Sequence, residues 1–126
     1  MVQRYVVKVA AWLEILMGAI VVATPVIPCV LLFGAKPESI GKPLSRMVGI
    51  ALLALGVACL PPKAVEAEPN AVRGLFVYNA GATILLAWTG AFTAFHGFLL
   101  WPTVILHGFI AVALLLQLLS PRRPEG

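Results

Sequence analysis

Apolar residues gather in long blocks along this chain, parted by short polar or proline-rich stretches. The first block runs from Val9 to Phe33, and Glu14 is the one charged residue inside it. A block of that length is long enough to cross a bilayer, whose hydrocarbon core takes about 20 apolar helical residues. Pro25 and Pro28 each lack a backbone donor and crowd the preceding turn, so the first helix is expected to end or kink there. The pattern predicts a helix over about 5–24, with an apolar extension to 33 that forms a short second piece at the membrane boundary. Gly, Pro and charges over 34–43 mark an exposed loop.

Three further spans are predicted, over about 44–60, 71–95 and 102–119. Pro43 and Pro102 suit first helical turns, and Pro61-Pro62 stops the second span. That span is only about 26 Å long at 1.5 Å per residue, which leaves Arg46 at its end, where the stem can snorkel to headgroups. The link from His96 to Trp101 is too short and apolar to leave the membrane surface, so the last two spans form an antiparallel hairpin. The expected fold is all-α: a single domain over 1–126, built as four transmembrane helices in an antiparallel up-down bundle.

Composition agrees. The chain is 61% hydrophobic and 11% charged, whereas a soluble domain carries about 25% charged residues. Lipid is the solvent that resolves the mismatch. The net charge of +4 comes from Lys and Arg near segment ends, not from a basic stripe on a soluble face, and nucleic acid is not expected as a partner. Four spans put both termini on one side, with Arg4, Lys8, Lys63, Arg73, Arg122 and Arg123. Lys36, Lys42 and Arg46 lie opposite. This bias predicts both termini in the cytoplasm of a cell whose plasma (inner) membrane holds the protein. Trp88, Phe92, Phe95, Phe98 and Trp101 then mark the outer interface. The first apolar run is longer than a signal-peptide core, and Thr24-Pro25-Val26-Ile27-Pro28 is a poor cleavage site, so it reads as a retained span.

Counting residues from the cytoplasmic ends places Glu14 about 15 Å deep. Asn79, Thr83 and His107 fall at similar depth, and Asn79 and Thr83 share a helix face. Desolvation penalises a charged carboxyl in lipid, so Glu14 needs a neighbour or a polar pocket. Glu14, Asn79, Thr83 and His107 are therefore expected to meet inside the bundle, as a structural polar layer or a ligand-binding one. Gly18, one turn from Glu14, leaves room for a partner.

Because lipid is as apolar as the helices, close approach at small residues must help hold them together. Gly49 and Gly56, and likewise Gly74 and Gly81, are a heptad apart and read as packing positions. The Gly74/Gly81 face is rotated from the Asn79/Thr83 face. Two faces unsuited to lipid point to a neighbouring subunit or a second copy.

Catalytic signatures are absent: no phosphate-binding Gly loop, no His-Glu-x-x-His, no Gly-x-Ser-x-Gly. Cys29 and Cys59 fit no metal-ligand spacing and lie near opposite membrane faces, so they read as small buried hydrophobes. His96 and His107 sit at unmatched depth, which argues against haem. No residue pattern names a cofactor or a metal.

With its short length, early apolar helix and four-helix plan, the chain resembles the DoxX-like group of small membrane proteins, some of which accompany quinone-linked sulfur oxidation. The resemblance covers topology over most of the chain and transfers no site residues; Pro25 and Pro28 depart from the group's pattern. The expected function is that of a non-catalytic integral membrane protein, an accessory or assembly subunit of a larger complex. The alternative is a binder of an apolar small molecule, a quinone or lipid, with Glu14 and His107 as polar contacts. A further alternative is an oligomeric channel or exporter.

Overall fold

In a computed structural model, which describes residues 2–60 and 69–120, the chain is all-α. The elements are α1 (Val2–Ala23), α2 (Val26–Phe33), α3 (Gly41–Cys59), α4 (Pro69–Phe92) and α5 (Leu100–Leu119). No strand occurs among the described residues. By length and composition α1, α3, α4 and α5 can each cross a membrane. Most of their surface is left uncovered by the chain itself, as expected when lipid is the solvent. The expected second loop and basic tail, with Lys63, Arg122 and Arg123, lie outside the described residues.

Prolines explain where several helices begin. Pro69 opens α4, and Pro28, Pro43 and Pro102 are each the third residue of their helix. The first-turn N–H groups of a helix have no intrahelical acceptor, so a proline there forfeits nothing. For the same reason α3 and α5 start two or three residues ahead of the expected 44 and 102. Pro25 lies between α1 and α2. There Arg46 donates from Nε to the carbonyl of Val22 (3.3 Å), capping an end of α1 that attracts cations.

α1 packs closely on α3. A Cβ on Gly18 would lie 2.7 Å from the Gly49 carbonyl oxygen and from the Leu53 nitrogen. One on Gly56 would lie 2.6 Å from the Ala11 oxygen and 2.9 Å from the Ile15 nitrogen. These partners fall along α3 as they rise along α1. α4 and α5 pair in the same opposed sense, with Gly90 against Leu100 and Trp101, and Thr83 against Gly108.

Two features join the pairs at their ends. Toward the chain termini, Val7, Ala10 and Ala11 of α1 meet Cys59, Val72, Leu75, Ile110 and Leu114 in one buried cluster. At the other end, the 93–99 connector folds back on α2. Gly97 N donates to Leu32 O (2.9 Å) and Leu99 N to Leu31 O (2.8 Å), satisfying carbonyls that the end of α2 would otherwise leave orphaned. Approach is so close that a Cβ on Gly97 would collide with the Leu31 carbonyl. Gly34 closes α2 in the left-handed region (φ 68°), a conformation glycine adopts without steric cost. This docking is why α4 stops at Phe92 and not at the expected 95: Thr93 Oγ1 bonds back to Thr89 O (2.7 Å) and accepts from Phe95 N (3.2 Å), turning the chain toward α2.

Candidate functional site

The polar residues predicted at mid-span come from three helices. Glu14 on α1 is 3% exposed and Asn79 on α4 is fully buried. His107 on α5 lies 2.7 Å, Nδ1 to Oδ1, from Asn79. The Asn79 amide nitrogen donates to the Leu75 carbonyl (2.8 Å), one turn back on its own helix. Thr83 Oγ1 donates to the Asn79 carbonyl (2.8 Å), while its methyl faces Gly108 of α5. The structure therefore brings Asn79 and His107 into direct contact. Thr83 sits beside them, with its hydroxyl turned to its own backbone.

Glu14 joins this group through a residue the sequence reading did not single out. Tyr78, adjacent to Asn79, forms a side-chain hydrogen bond with Glu14. Its ring meets the His107 imidazole edge-on, with centroids 5.8 Å apart and planes at 80°. A polar line thus runs from α1 through Tyr78 to His107 and Asn79. Tyrosine is counted as an interfacial residue by default; a tyrosine half-way along a span, next to a buried asparagine, was the signal that could have found it.

The glycines divide. Gly18, Gly49 and Gly56 lie in the α1–α3 seam, so the space beside Gly18 holds α3 backbone and not a partner for Glu14. Among the described residues, a Cβ on Gly74 would make only ordinary contact with Leu55 (3.9 Å), and one on Gly81 would meet nothing within 4 Å. Gly74 and Gly81 share a face, yet neither is a close-packing position among the described residues.

Cys29 and Cys59 are both free. The Cys29 thiol lies 3.4 Å from Ser45 Oγ, and Cys59 donates to Ala71 O (3.7 Å). His96 lies exposed in the connector, away from His107. No group of three or more metal-ligating side chains occurs among the described residues. The aromatics Trp88, Phe92, Phe95, Phe98 and Trp101 are all exposed around the α4–α5 connection. An open hollow of about 540 Å³ lies at the 34–40 loop, lined by Val26, Lys36, Pro37, Glu38, Ser39 and Lys42, and includes none of the mid-span polar residues.

Chemically, the polar line can fix helix rotation and register. Interhelical hydrogen bonds in membranes average about 0.6 kcal/mol, so such a line contributes more to specificity than to stability. It also places a carboxyl and an imidazole at mid-depth, where ionisable side chains are candidates for function. No protein-family model, curated protein or solved structure matches the chain.

Proposed function

We propose that the protein is a small non-catalytic integral membrane subunit that assembles with another membrane protein or with a second copy of itself. It stands as an antiparallel four-helix bundle, its first span breaking at Pro25/Pro28. Both termini lie in the cytoplasm, and the plasma (inner) membrane holds it. The observation that carries this reading is Gly81. Glycine inside a helix costs about 1 kcal/mol relative to alanine, and three glycines of α1 and α3 are explained by backbone contact. Gly81 has no such contact among the described residues. It lies on an outward face with Val77, Ile84 and Trp88, a notch suited to close approach by another helix.

Blue-native electrophoresis in mild detergent tests the proposal. The wild-type protein is expected to migrate as a complex, and Gly81→Leu to release it as a folded monomer. A wild-type protein that is monomeric in the membrane and in detergent sinks the reading.

A second reading is favoured by the burial of Glu14, a carboxyl able to accept several hydrogen bonds whose one side-chain hydrogen-bond partner among the described residues is the Tyr78 hydroxyl. In this reading the mid-depth polar residues hold an apolar small molecule, with Glu14 and His107 as its polar contacts. The topological likeness to DoxX-like proteins accords with either reading.

A further inference from the structure

The hydrogen bonds around Asn79 determine which nitrogen of His107 carries its proton. The Leu75 carbonyl can only accept, so the group facing it at 2.8 Å is the Asn79 NH2. The amide oxygen therefore faces His107, and because it too can only accept, Nδ1 of the imidazole is the donor across 2.7 Å. A neutral imidazole carries one proton, on one of its two ring nitrogens. That proton being on Nδ1, Nε2 holds a bare lone pair.

Among the described residues nothing donates to Nε2. The Tyr78 hydroxyl, whose ring touches the imidazole, is engaged with Glu14. His107 is part-exposed, between the outward residues Leu106 and Phe109, and acyl chains carry no donors. A lone pair left bare in hydrocarbon is costly, so polar groups at this depth are satisfied from within the protein or by what enters it. Headgroup donors are about 15 Å away along the span. What suits the position is an apolar body carrying one O–H, which donates to Nε2 while its apolar part lies against the Tyr78 ring and the lipid-facing side of α5.

We infer that His107 Nε2, oriented by Asn79 and Leu75, is the acceptor for the hydroxyl of an apolar ligand at mid-membrane; this rests on the small-molecule reading above and names its ligand class. The hydroxyl can come from a hydroquinone or from a membrane lipid such as a sterol or diacylglycerol.

The test uses the full chain carrying His96→Gln, so that His107 is the single imidazole, with 15N-labelled histidine in phosphatidylcholine nanodiscs. Without ligand, Nδ1 is expected to give a protonated resonance and Nε2 an unprotonated one. Tetramethylhydroquinone is expected to shift Nε2 saturably, and its dimethyl ether is not. Asn79→Leu is expected to mix the tautomers and weaken binding about tenfold, a readout that a purely structural asparagine would not move. A sterol or diacylglycerol that shifts Nε2 when the hydroquinone does not supports the inference with lipid as the source. An ether that binds as well as the hydroquinone overturns the hydroxyl assignment while leaving apolar binding in place. A protonated Nε2 in the ligand-free protein overturns the assignment outright, and no binding of any of the three probes overturns it together with the small-molecule reading.

Discussion

The α1–α3 seam and the α4–α5 seam solve one problem by different means. Neither can rely on the hydrophobic effect, since lipid competes equally for apolar surface. Along α1–α3, Gly18, Gly49 and Gly56 bring backbone against backbone, and the gain is dispersion over many short contacts. Along α4–α5, Gly90 and Gly108 meet side chains of the facing helix, and a hydrogen bond between Asn79 and His107 joins the pair. The first seam tolerates no added atom, because carbonyls and amides of a helix cannot step aside. The second has adjustable side chains but depends on matched polar partners. The contrast teaches that one chain carries a sterically specified pair and a chemically specified pair, joined by Glu14–Tyr78 at mid-span and by the α2–connector bonds at one end.

The sharpest way to break the comparison is Gly56→Leu, whose Cβ must enter space held by the Ala11 oxygen and Ile15 nitrogen. Overpacking of side chains alone costs about 1–3 kcal/mol, and here backbone must move. A loss of about 3 kcal/mol or more is expected by unfolding in mixed micelles, with little folded protein recovered. Wild-type stability in this variant would falsify the glycine-seam account.

Next comes Asn79→Leu, which removes the α4–α5 bond and leaves His107 without its acceptor. Membrane double-mutant cycles reach about 1.7 kcal/mol at most. A cycle pairing this change with His107→Phe is expected to give a coupling between about 0.6 and 1.7 kcal/mol. A coupling of zero means that the second seam is steric as well.

Tyr78→Phe keeps the ring beside His107 and deletes the hydroxyl bonded to Glu14. The expected loss is about 0.6 kcal/mol, the membrane average. The same cost should vanish in a Glu14→Leu background; if it persists, Tyr78 does not act through Glu14.

Gly81→Ala is the smallest. Among the described residues nothing lies within 4 Å of the new methyl, so monomer stability should stay within about 0.5 kcal/mol of wild type. Unfolding of the isolated chain in detergent checks this, and a marked loss places Gly81 in an internal seam after all.

Much of the architecture was legible beforehand. Apolar run lengths located the four long helices, and proline spacing marked the separate short helix over 26–33. Depth counting predicted Glu14, Asn79, Thr83 and His107 at one level, and the structure brings Asn79 and His107 into contact. Depth alone could not say that Glu14 reaches the others through Tyr78, because depth along an axis leaves rotation about it open. Nor did side-chain patterns foresee the 93–99 connector bonding to Leu31 and Leu32, since those are backbone groups that every residue carries. The heptad-spaced glycines make the same point twice: Gly49/Gly56 and Gly74/Gly81 have one spacing and opposite surroundings.

Membrane crossing was readable from composition because the cost of transfer into lipid is a sum over each segment's own residues. Seams, and the identity of Tyr78 as the bridge, depend on how far each helix is turned and tilted against its neighbours. A few tens of degrees of rotation exchanges a buried face for a lipid-facing one at almost no change in segment hydrophobicity. Those angles emerge only once all the helices are packed together.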